Sequence, residues 1–297
     1  MSRPIQAGER RLPAPGLVGL AAIGGILLLV VAAKSWPVGG DEQAYWRAAQ
    51  RLAAGMPLYD PSAAPNAPYV YWYPPPLAQL LAPLTPFLSP AAFTAAWVFL
   101  LLGCLWWLSG RDVLVALALI AFIPVALELR TRNVHLVLAV LIVLSLRRSW
   151  VFWVPAAALK IAPGLGAVYL LAAGRIREAL AVGVLGLGVL GVSVALAPEP
   201  WREFLVTVGA RAGTDGGAMV PIPFPIRFAV GAALAAFAGR VGGRRGEILL
   251  VVGLTVANPT LWVTALSMLV AIVPLLRTAR PVPGFVARVP SPAGTQA

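Results

Sequence analysis

The chain has 297 residues, of which 60% are hydrophobic and 11% are charged, and its net charge is +12. Soluble domains carry about 25% charged residues, so this composition excludes a water-soluble globular fold. In a soluble protein the positive charge would suggest a nucleic-acid partner. Here the arginines lie in short clusters between apolar runs, which is the positive-inside pattern. We therefore expect an all-α, polytopic membrane domain over residues 1–280, with membrane lipids and no nucleic acid as partners.

The first predicted crossing is the charge-free stretch between Arg11 and Lys34, which is long enough for a bilayer of about 30 Å. Basic residues before it place the N-terminus in the cytoplasm. A cleaved signal peptide ending at 31–33 is the alternative. Residues 34–76 then form the first extracytoplasmic loop. Within it, apolar spacing predicts an interfacial helix over 43–54.

Further apolar runs follow along the chain, and together with the first they predict about eight crossings. The positions of the arginine clusters between them fit alternation across the membrane. The Pro-rich tail, residues 281–297, is expected to be a disordered cytoplasmic segment. The predicted crossings after the loop are 91–108, 113–127, 134–146, 180–197, 222–238, 248–257 and 261–276.

Residues 149–174 break the alternation, because arginine pairs lie on both flanks and Lys160, Pro163 and Gly164 lie in the middle. Each half has about ten residues, too few to cross. We expect a broken or re-entrant helix pair with Lys160 near the outer face. The alternative is one crossing with Lys160 extended towards the interface, which would invert every later loop.

One acidic residue is a candidate base. The sequence has no Walker-type phosphate loop, no paired cysteines and a single histidine, so these patterns predict no multi-histidine zinc site. Asp41 follows the first predicted crossing, where its carboxylate could take a proton from an attacking hydroxyl. Asp41 before Glu42 also suits a helix N-cap.

Several cations are candidates for a lipid phosphate. Arg130, Arg132, Lys160 and Arg227 could bind one, the arginines in bidentate fashion and the lysine as a point charge. Contact with lipid headgroups is the alternative. His135 suits a structural imidazole better than a metal ligand, because no partner histidine or cysteine accompanies it. The Trp and Tyr residues fit interfacial belts, and some in the long loop could stack on a sugar.

Several blocks of sequence resemble glycosyltransferase family 87. They are DEQAYWRAA at 41–49, GMPLYD at 55–60, YPPPL at 73–77 and LAPL at 81–84, followed by AAALKIAP at 156–163 and, faintly, NPTLW at 258–262. That family comprises membrane-embedded transferases of the GT-C fold that use polyprenyl-phosphate mannose or related lipid-linked sugars. The order and spacing of the blocks make the resemblance more specific than any one block.

The resemblance implies an inverting transfer of a hexose, with mannose expected, from a polyprenyl-phosphate sugar to an extracytoplasmic lipid or glycan acceptor at the plasma membrane. It makes Asp41 the catalytic base and places Lys160 and Arg227 near the donor phosphate. Arg132, one of the candidate cations above, is expected to contact the same phosphate. No cofactor is required, although Asp41 and Glu42 could hold a divalent metal. The expected substrate contacts are Glu42, Tyr45, Tyr59, Tyr73, Asn133, His135, Asn258 and Trp262.

The chain also departs from the family pattern. Where the family usually has Gly-Gln-x-Asn, residues 132–135 read Arg-Asn-Val-His, and where it often has Ser-Trp-x-His, residues 261–264 read Leu-Trp-Val-Thr. The chain is also short for the family. A lipid-linked-sugar transporter or flippase, and a catalytically inactive subunit of a related transferase, are therefore the alternative functions.

Overall fold

The computed structural model describes residues 40–60, 62–63, 67, 69–211 and 220–277. These residues form helices joined by turns, and no β-strand occurs among them. The all-α prediction is therefore confirmed for the described part of the chain. The predicted first crossing before Lys34 and the predicted tail 281–297 lie outside the described residues.

The α-helices are numbered here in chain order, and short 3₁₀ segments connect several of them. The 3₁₀ segments are Ala82–Leu84, Trp150–Phe152, Ala162–Leu165 and Val263–Ala271. The α-helices are α1 (Gly40–Ala53), α2 (Pro75–Leu81), α3 (Pro90–Leu108), α4 (Val113–Ala121), α5 (Ile123–Thr131), α6 (His135–Arg147), α7 (Trp153–Leu159), α8 (Gly166–Ala172), α9 (Ile176–Leu196), α10 (Pro198–Arg211), α11 (Phe224–Val241), α12 (Gly243–Val256) and α13 (Ile272–Leu276).

Three of the described helices, α3, α9 and α11, are long and apolar enough to cross a membrane. The pair α4 and α5 would be a fourth span if it crosses as one bent unit. Leu187 on α9 is 68% exposed, as expected of a side chain that faces lipid. The prediction of about eight crossings is not confirmed, because other predicted crossings correspond to shorter helices such as α6.

The segment predicted as one crossing over 113–127 is bent by 86° between α4 and α5. Phe122 leaves the helical conformation with a ψ of 111°, and Pro124 follows in the first turn of α5. Proline has no N–H to continue the hydrogen bonds of α4, and its ring would clash with the carbonyl of Ile120 in a continuous helix. Because of the bend, α5 does not continue along the axis of α4. It packs against the 3₁₀ segment Val263–Ala271.

The predicted break in 149–174 is present at Lys160. Helix α7 ends at Leu159, and Lys160 has an extended backbone with φ −148° and ψ 147° before the chain turns into α8. A Cβ on Gly166 would lie 2.3 Å from the ring of Trp153, so this indole lies flat against the start of α8. The two halves are thus packed together, while the re-entrant path through a membrane stays a prediction.

Helices α11 and α12 pack closely at Gly231. A Cβ at this position would lie 2.5 Å from the Cβ of Ala257 and 2.6 Å from the carbonyl oxygen of Gly253. Such overpacking costs about 1–3 kcal/mol, so Gly231→Ala is expected to lower the thermal unfolding temperature in detergent. Gly188→Ala in the middle of α9 is the matched control, because nothing lies within 4 Å of its Cβ position. Equal unfolding temperatures for the two variants would contradict the close packing.

The site lies where the N-terminal half of the described chain meets the break at Lys160. Helix α1 packs on α2, α3 and α5, and α6 packs on α3, α7 and the segment Val263–Ala271. Tyr45 of α1 and Trp153 of α7 are fully buried in this core. The first turn of α1, the α5–α6 turn and Lys160 are thereby brought together.

Candidate functional site

The tight turn between α5 and α6 supplies the centre of the site. Arg132 ends α5 in the left-handed conformation with a φ of 59°. A non-glycine residue in this region costs about 1–3 kcal/mol and often lies at a functional site. The indole N–H of Trp97 donates to the carbonyl of Arg132 at 2.8 Å and supports the turn. The turn presents Arg132, Asn133 and His135 to the neighbouring helices.

Asp41 lies in the first turn of α1, which begins one residue earlier, and its side chain is partly buried. Its Oδ2 accepts a hydrogen bond of 2.8 Å from Nδ2 of Asn133. The Oδ1 of Asn133 accepts from the Tyr73 hydroxyl at 2.7 Å and from the backbone N–H of Val134 at 2.7 Å, and the Tyr45 hydroxyl donates to the Tyr73 oxygen at 2.9 Å. Because Oδ1 receives these donors, the amide Nδ2 must face Asp41. One amide therefore orients the carboxylate and joins it to a tyrosine pair.

The surroundings of Asp41 change its acidity. Burial, and to a smaller extent the nearby Glu128 carboxylate, raise the pKa of Asp41 to about 6, against the Asn133 hydrogen bond and the Lys160 ammonium, which lower it. A carboxylate with a pKa near 6 is still ionised at neutral pH and is a stronger base than an exposed aspartate. Asp41 is therefore suited to accept a proton.

Glu42 and Arg132 form an ion pair beside Asp41. The Arg132 Nη1 lies 2.5 Å from Oε1 of Glu42, and the Glu42 side chain is fully buried while that of Arg132 is 20% exposed. The second oxygen of Glu42, Oε2, is buried without a hydrogen-bond partner. Glu42 thus holds one nitrogen of the Arg132 guanidinium, while the Arg132 side chain remains partly exposed.

Glu128, His135 and Lys160 form a continuous buried chain of polar groups. The Oε2 of Glu128 lies 2.9 Å from Nδ1 of His135, and Nε2 of His135 lies 2.7 Å from Nζ of Lys160. The Lys160 ammonium also lies 5.1 Å from the centroid of the Tyr73 ring. Tyr73 therefore lies between this chain and Asn133, the residue that binds Asp41.

Tyr59 supports the site from the loop after α1. Its hydroxyl donates to the carbonyl of Tyr73 at 2.6 Å, and burial raises its pKa, so the hydroxyl stays a donor. The Oε2 of Glu203 on α10 accepts from the backbone N–H groups of Leu58 at 2.6 Å and Tyr59 at 3.0 Å. This carboxylate fixes the loop, and with it the position of Tyr59.

Arg227, Asn258 and Trp262 lie around the break after α12. The Arg227 guanidinium donates to the carbonyls of Ile222 at 2.9 Å and Pro259 at 2.8 Å, and also to that of Asn258. Nδ2 of Asn258 contacts Sδ of Met268 at 3.0 Å, and its Oδ1 is buried without a hydrogen-bond partner. Trp262 is half-buried. Contact between these residues and a substrate stays a prediction.

The contacts of Arg227 predict a large structural effect. In Arg227→Lys, one ammonium cannot replace a planar guanidinium at several carbonyls, and each charged hydrogen bond lost costs about 1.5–3 kcal/mol. We expect a lower unfolding temperature in detergent. The control is Arg202→Lys, since that side chain is 76% exposed and pairs with Glu199 on the surface of α10. The structural role would be contradicted if both variants unfolded like the wild type.

No three His, Cys, Asp or Glu side chains in the described ranges come close enough to share a metal ion. In the predicted metal-holding pair, one oxygen of Asp41 accepts from Asn133 and one oxygen of Glu42 accepts from Arg132. Oε2 of Glu42 has no hydrogen-bond partner in the described part of the protein, so a divalent metal at this pair stays a prediction.

Comparison with known proteins identifies the family. The sequence model of glycosyltransferase family 87 matches residues 71–289, which is more than half of the chain. The chain belongs to glycosyltransferase family 87. This family 87 protein is therefore a membrane glycosyltransferase that uses a sugar donor and an acceptor. No curated protein and no solved structure matches the chain.

The family match begins after α1, so it includes Tyr73, His135 and Lys160 but not Asp41. Two further residues of this family 87 site were absent from the predicted set, Glu128 and Glu203. Glu128 is an acid within an apolar segment, a signal that by itself favours a functional role. Glu203 has no comparable signal, because it lies in a polar segment of α10 with other charged residues.

Proposed function

We propose that this family 87 transferase moves a hexose, with mannose as the expected sugar, from a polyprenyl-phosphate donor to a lipid or glycan acceptor. The reaction takes place at the extracytoplasmic face of the plasma membrane. The observation that carries the proposal is one cluster containing a basic carboxylate, Asp41, and a buried ammonium, Lys160. Asn133 binds Asp41, and Tyr73 contacts both Asn133 and the ammonium.

Asp41 acts as the general base in this proposal. The acceptor hydroxyl attacks the anomeric carbon while its proton passes to Oδ1 or Oδ2 of Asp41. The bond between that carbon and the donor phosphate oxygen breaks in the same step. Attack from the face opposite the phosphate inverts the anomeric centre. Asn133 keeps the carboxylate oriented through its hydrogen bond of 2.8 Å.

The cations act on the leaving group. When the sugar departs, the phosphodiester becomes a phosphomonoester and gains one negative charge, which fixed positive groups stabilise. Lys160 and Arg132 supply this charge, with Arg132 held in place by Glu42. Arg227 is the third predicted phosphate contact. Because Lys and Arg suffice for a single phosphate, the proposal requires no metal or other cofactor.

Predicted contacts with the sugar or acceptor are also part of this proposal, and they include residues that position Asp41 and Arg132. Tyr45 and Tyr73 share a hydrogen bond of 2.9 Å, and their rings meet edge to face at 4.9 Å. Aromatic side chains of this kind can pack on a sugar ring. The predicted contacts are Glu42, Tyr45, Tyr59, Tyr73, Asn133, His135, Asn258 and Trp262.

The raised pKa of Asp41 predicts a pH dependence. A base must be deprotonated to act, so kcat/KM is expected to fall as the pH drops from 7 through about 6. Below that value the rate should fall about tenfold for each pH unit, because the ionised fraction falls in the same proportion. Transfer measured between pH 4.5 and 8 checks this. A profile that is flat down to pH 5 would argue against Asp41 as the base.

The function is tested with purified protein in liposomes that contain radiolabelled polyprenyl-phosphate mannose and a membrane-lipid extract as acceptor. We expect label to move from the donor into lipid or glycan products, with none transferred from a nucleotide-activated mannose. Label that changes leaflet without forming product would instead support a transporter or flippase. No transfer by folded protein, together with co-purification with an active homologue, would support an inactive subunit.

A further inference from the structure

We propose that Glu128 and His135 are positioning residues that hold the Lys160 ammonium against the donor phosphate. The inference rests on the proposed function, in which Lys160 meets that phosphate. It assigns a role to Glu128, and it gives His135 a role other than the predicted contact with substrate. The three side chains come from α5, the first turn of α6 and the break between α7 and α8.

When Lys160 is charged, the protein contacts of His135 determine which ring nitrogen carries the imidazole proton. An ammonium group can only donate, so the Nε2 atom 2.7 Å away must accept. A neutral imidazole then carries its proton on Nδ1, which lies 2.9 Å from Oε2 of Glu128 and donates to that carboxylate. His135 therefore links an anion to a cation in the neutral Nδ1–H form.

Glu128 is itself fixed by the backbone. Its Oε1 accepts from the N–H groups of His135 at 2.6 Å and Leu136 at 3.3 Å, which are unpaired donors at the start of α6. With Oε1 held there, Oε2 is directed at the imidazole. Glu128 and His135 together therefore fix the position of the Lys160 ammonium relative to α6.

Stability alone does not account for this arrangement. Glu128 is fully buried, and His135 and Lys160 are 2% and 6% exposed. Burying an ion pair is about as costly as the attraction it gains, so apolar residues of similar volume would serve the fold as well. His135 contacts the Lys160 ammonium on one side and the Tyr73 ring lies on the other. The ammonium therefore has a defined position near Asn133 and Asp41.

The chain allows a direct test because His135 is its only histidine. Protein labelled with ¹⁵N-histidine, purified through a histidine-free tag and placed in nanodiscs, gives one imidazole in an NMR spectrum. We expect a neutral Nδ1–H ring, and an Nε2 signal that moves in Lys160→Met because its hydrogen-bond donor is lost. A Nε2–H ring, a charged ring, or an Nε2 signal unchanged by Lys160→Met would overturn the inference.

Two substitutions test the catalytic consequence. In His135→Gln the longer amide can place an oxygen near the former Nε2 position and accept from Lys160, whereas the shorter side chain of His135→Asn can donate to Glu128 but does not reach Lys160. We expect His135→Gln to retain kcat within about tenfold and His135→Asn to lose about 100-fold, the effect of a lost charged hydrogen bond.

The outcomes separate this inference from the proposed function. If the wild type transfers sugar and folded His135→Asn keeps its kcat, the positioning role is wrong while the proposed function stands. Equal losses in the two variants would also overturn the role, since a purely structural imidazole predicts no rescue by glutamine. If the wild type transfers nothing from polyprenyl-phosphate mannose, the proposed function itself fails.

Discussion

Asp41→Asn is expected to reduce sugar transfer by about 10²–10⁴-fold, the usual contribution of a general base. The substituted amide has the same shape and can still accept a hydrogen bond from Asn133, so the local structure should persist. It cannot take the proton of the acceptor hydroxyl at any pH. Initial rates at saturating donor, measured beside thermal unfolding, separate loss of chemistry from loss of fold.

Asp112→Asn is the matched control for that substitution. Asp112 caps the N-terminus of α4 by accepting from the N–H groups of Leu114 and Val115, and asparagine is an equally good cap. The same acid-to-amide change should therefore leave transfer unaltered. Full activity of Asp41→Asn, with both proteins folded, would remove Asp41 from the role of base.

Lys160→Met is expected to lower kcat by about 10²–10³-fold, comparable to the loss of one charged stabiliser of a developing anion. Methionine keeps much of the buried apolar stem but cannot donate to the leaving phosphate. The neighbouring His135 also loses its donor, so some fall in unfolding temperature accompanies the change. Single-turnover measurements at saturating donor report the chemical step separately from donor binding.

The control for that substitution is a cation on the surface of the protein, Arg202 of α10. Arg202→Met likewise removes a positive charge, here from a side chain that is 76% exposed on α10, and should transfer sugar at the wild-type rate. Wild-type kcat in folded Lys160→Met would contradict the assignment of Lys160 to the donor phosphate and would leave Arg132 and Arg227 as the candidate cations.

Local features of the fold were readable from the sequence. The spacing of apolar residues in 43–54 predicted a helix, and α1 occupies Gly40–Ala53. The proline and glycine after Lys160 predicted a break at that residue, which is present. Both depend on short-range effects, namely side-chain periodicity and the loss of a helical hydrogen bond at proline.

Less could be predicted where tertiary geometry decides the outcome. The count of about eight crossings treats each apolar run as one span. Several of these runs instead form shorter apolar helices of 10–17 residues. The bend between α4 and α5 was not predicted, although Pro124 is a signal for it. The bend sets the orientation of α5, which carries Glu128. Without the bend, neither the fold nor the position of Glu128 in the site could be predicted.

The connections within the site could not be read from spacing. Asp41 and Asn133 are separated by 92 positions, and His135 and Lys160 by 25, yet each pair shares a hydrogen bond. The residue types indicated acid, base and cation chemistry, and the family resemblance indicated roles for Asp41 and Lys160. Which group orients which depends on how α1, α5, α6 and the break at Lys160 pack, and this information is in the structure.

The central claim is that Asp41 and Lys160 act on opposite faces of one anomeric carbon in a single displacement. The most direct test is the anomeric configuration of the transferred hexose, determined by NMR of the product formed from a polyprenyl-phosphate sugar of known anomer. We expect the product to carry the opposite anomer to the donor. A product that retains the donor configuration would require a covalent or two-step mechanism and would contradict the roles assigned to both residues.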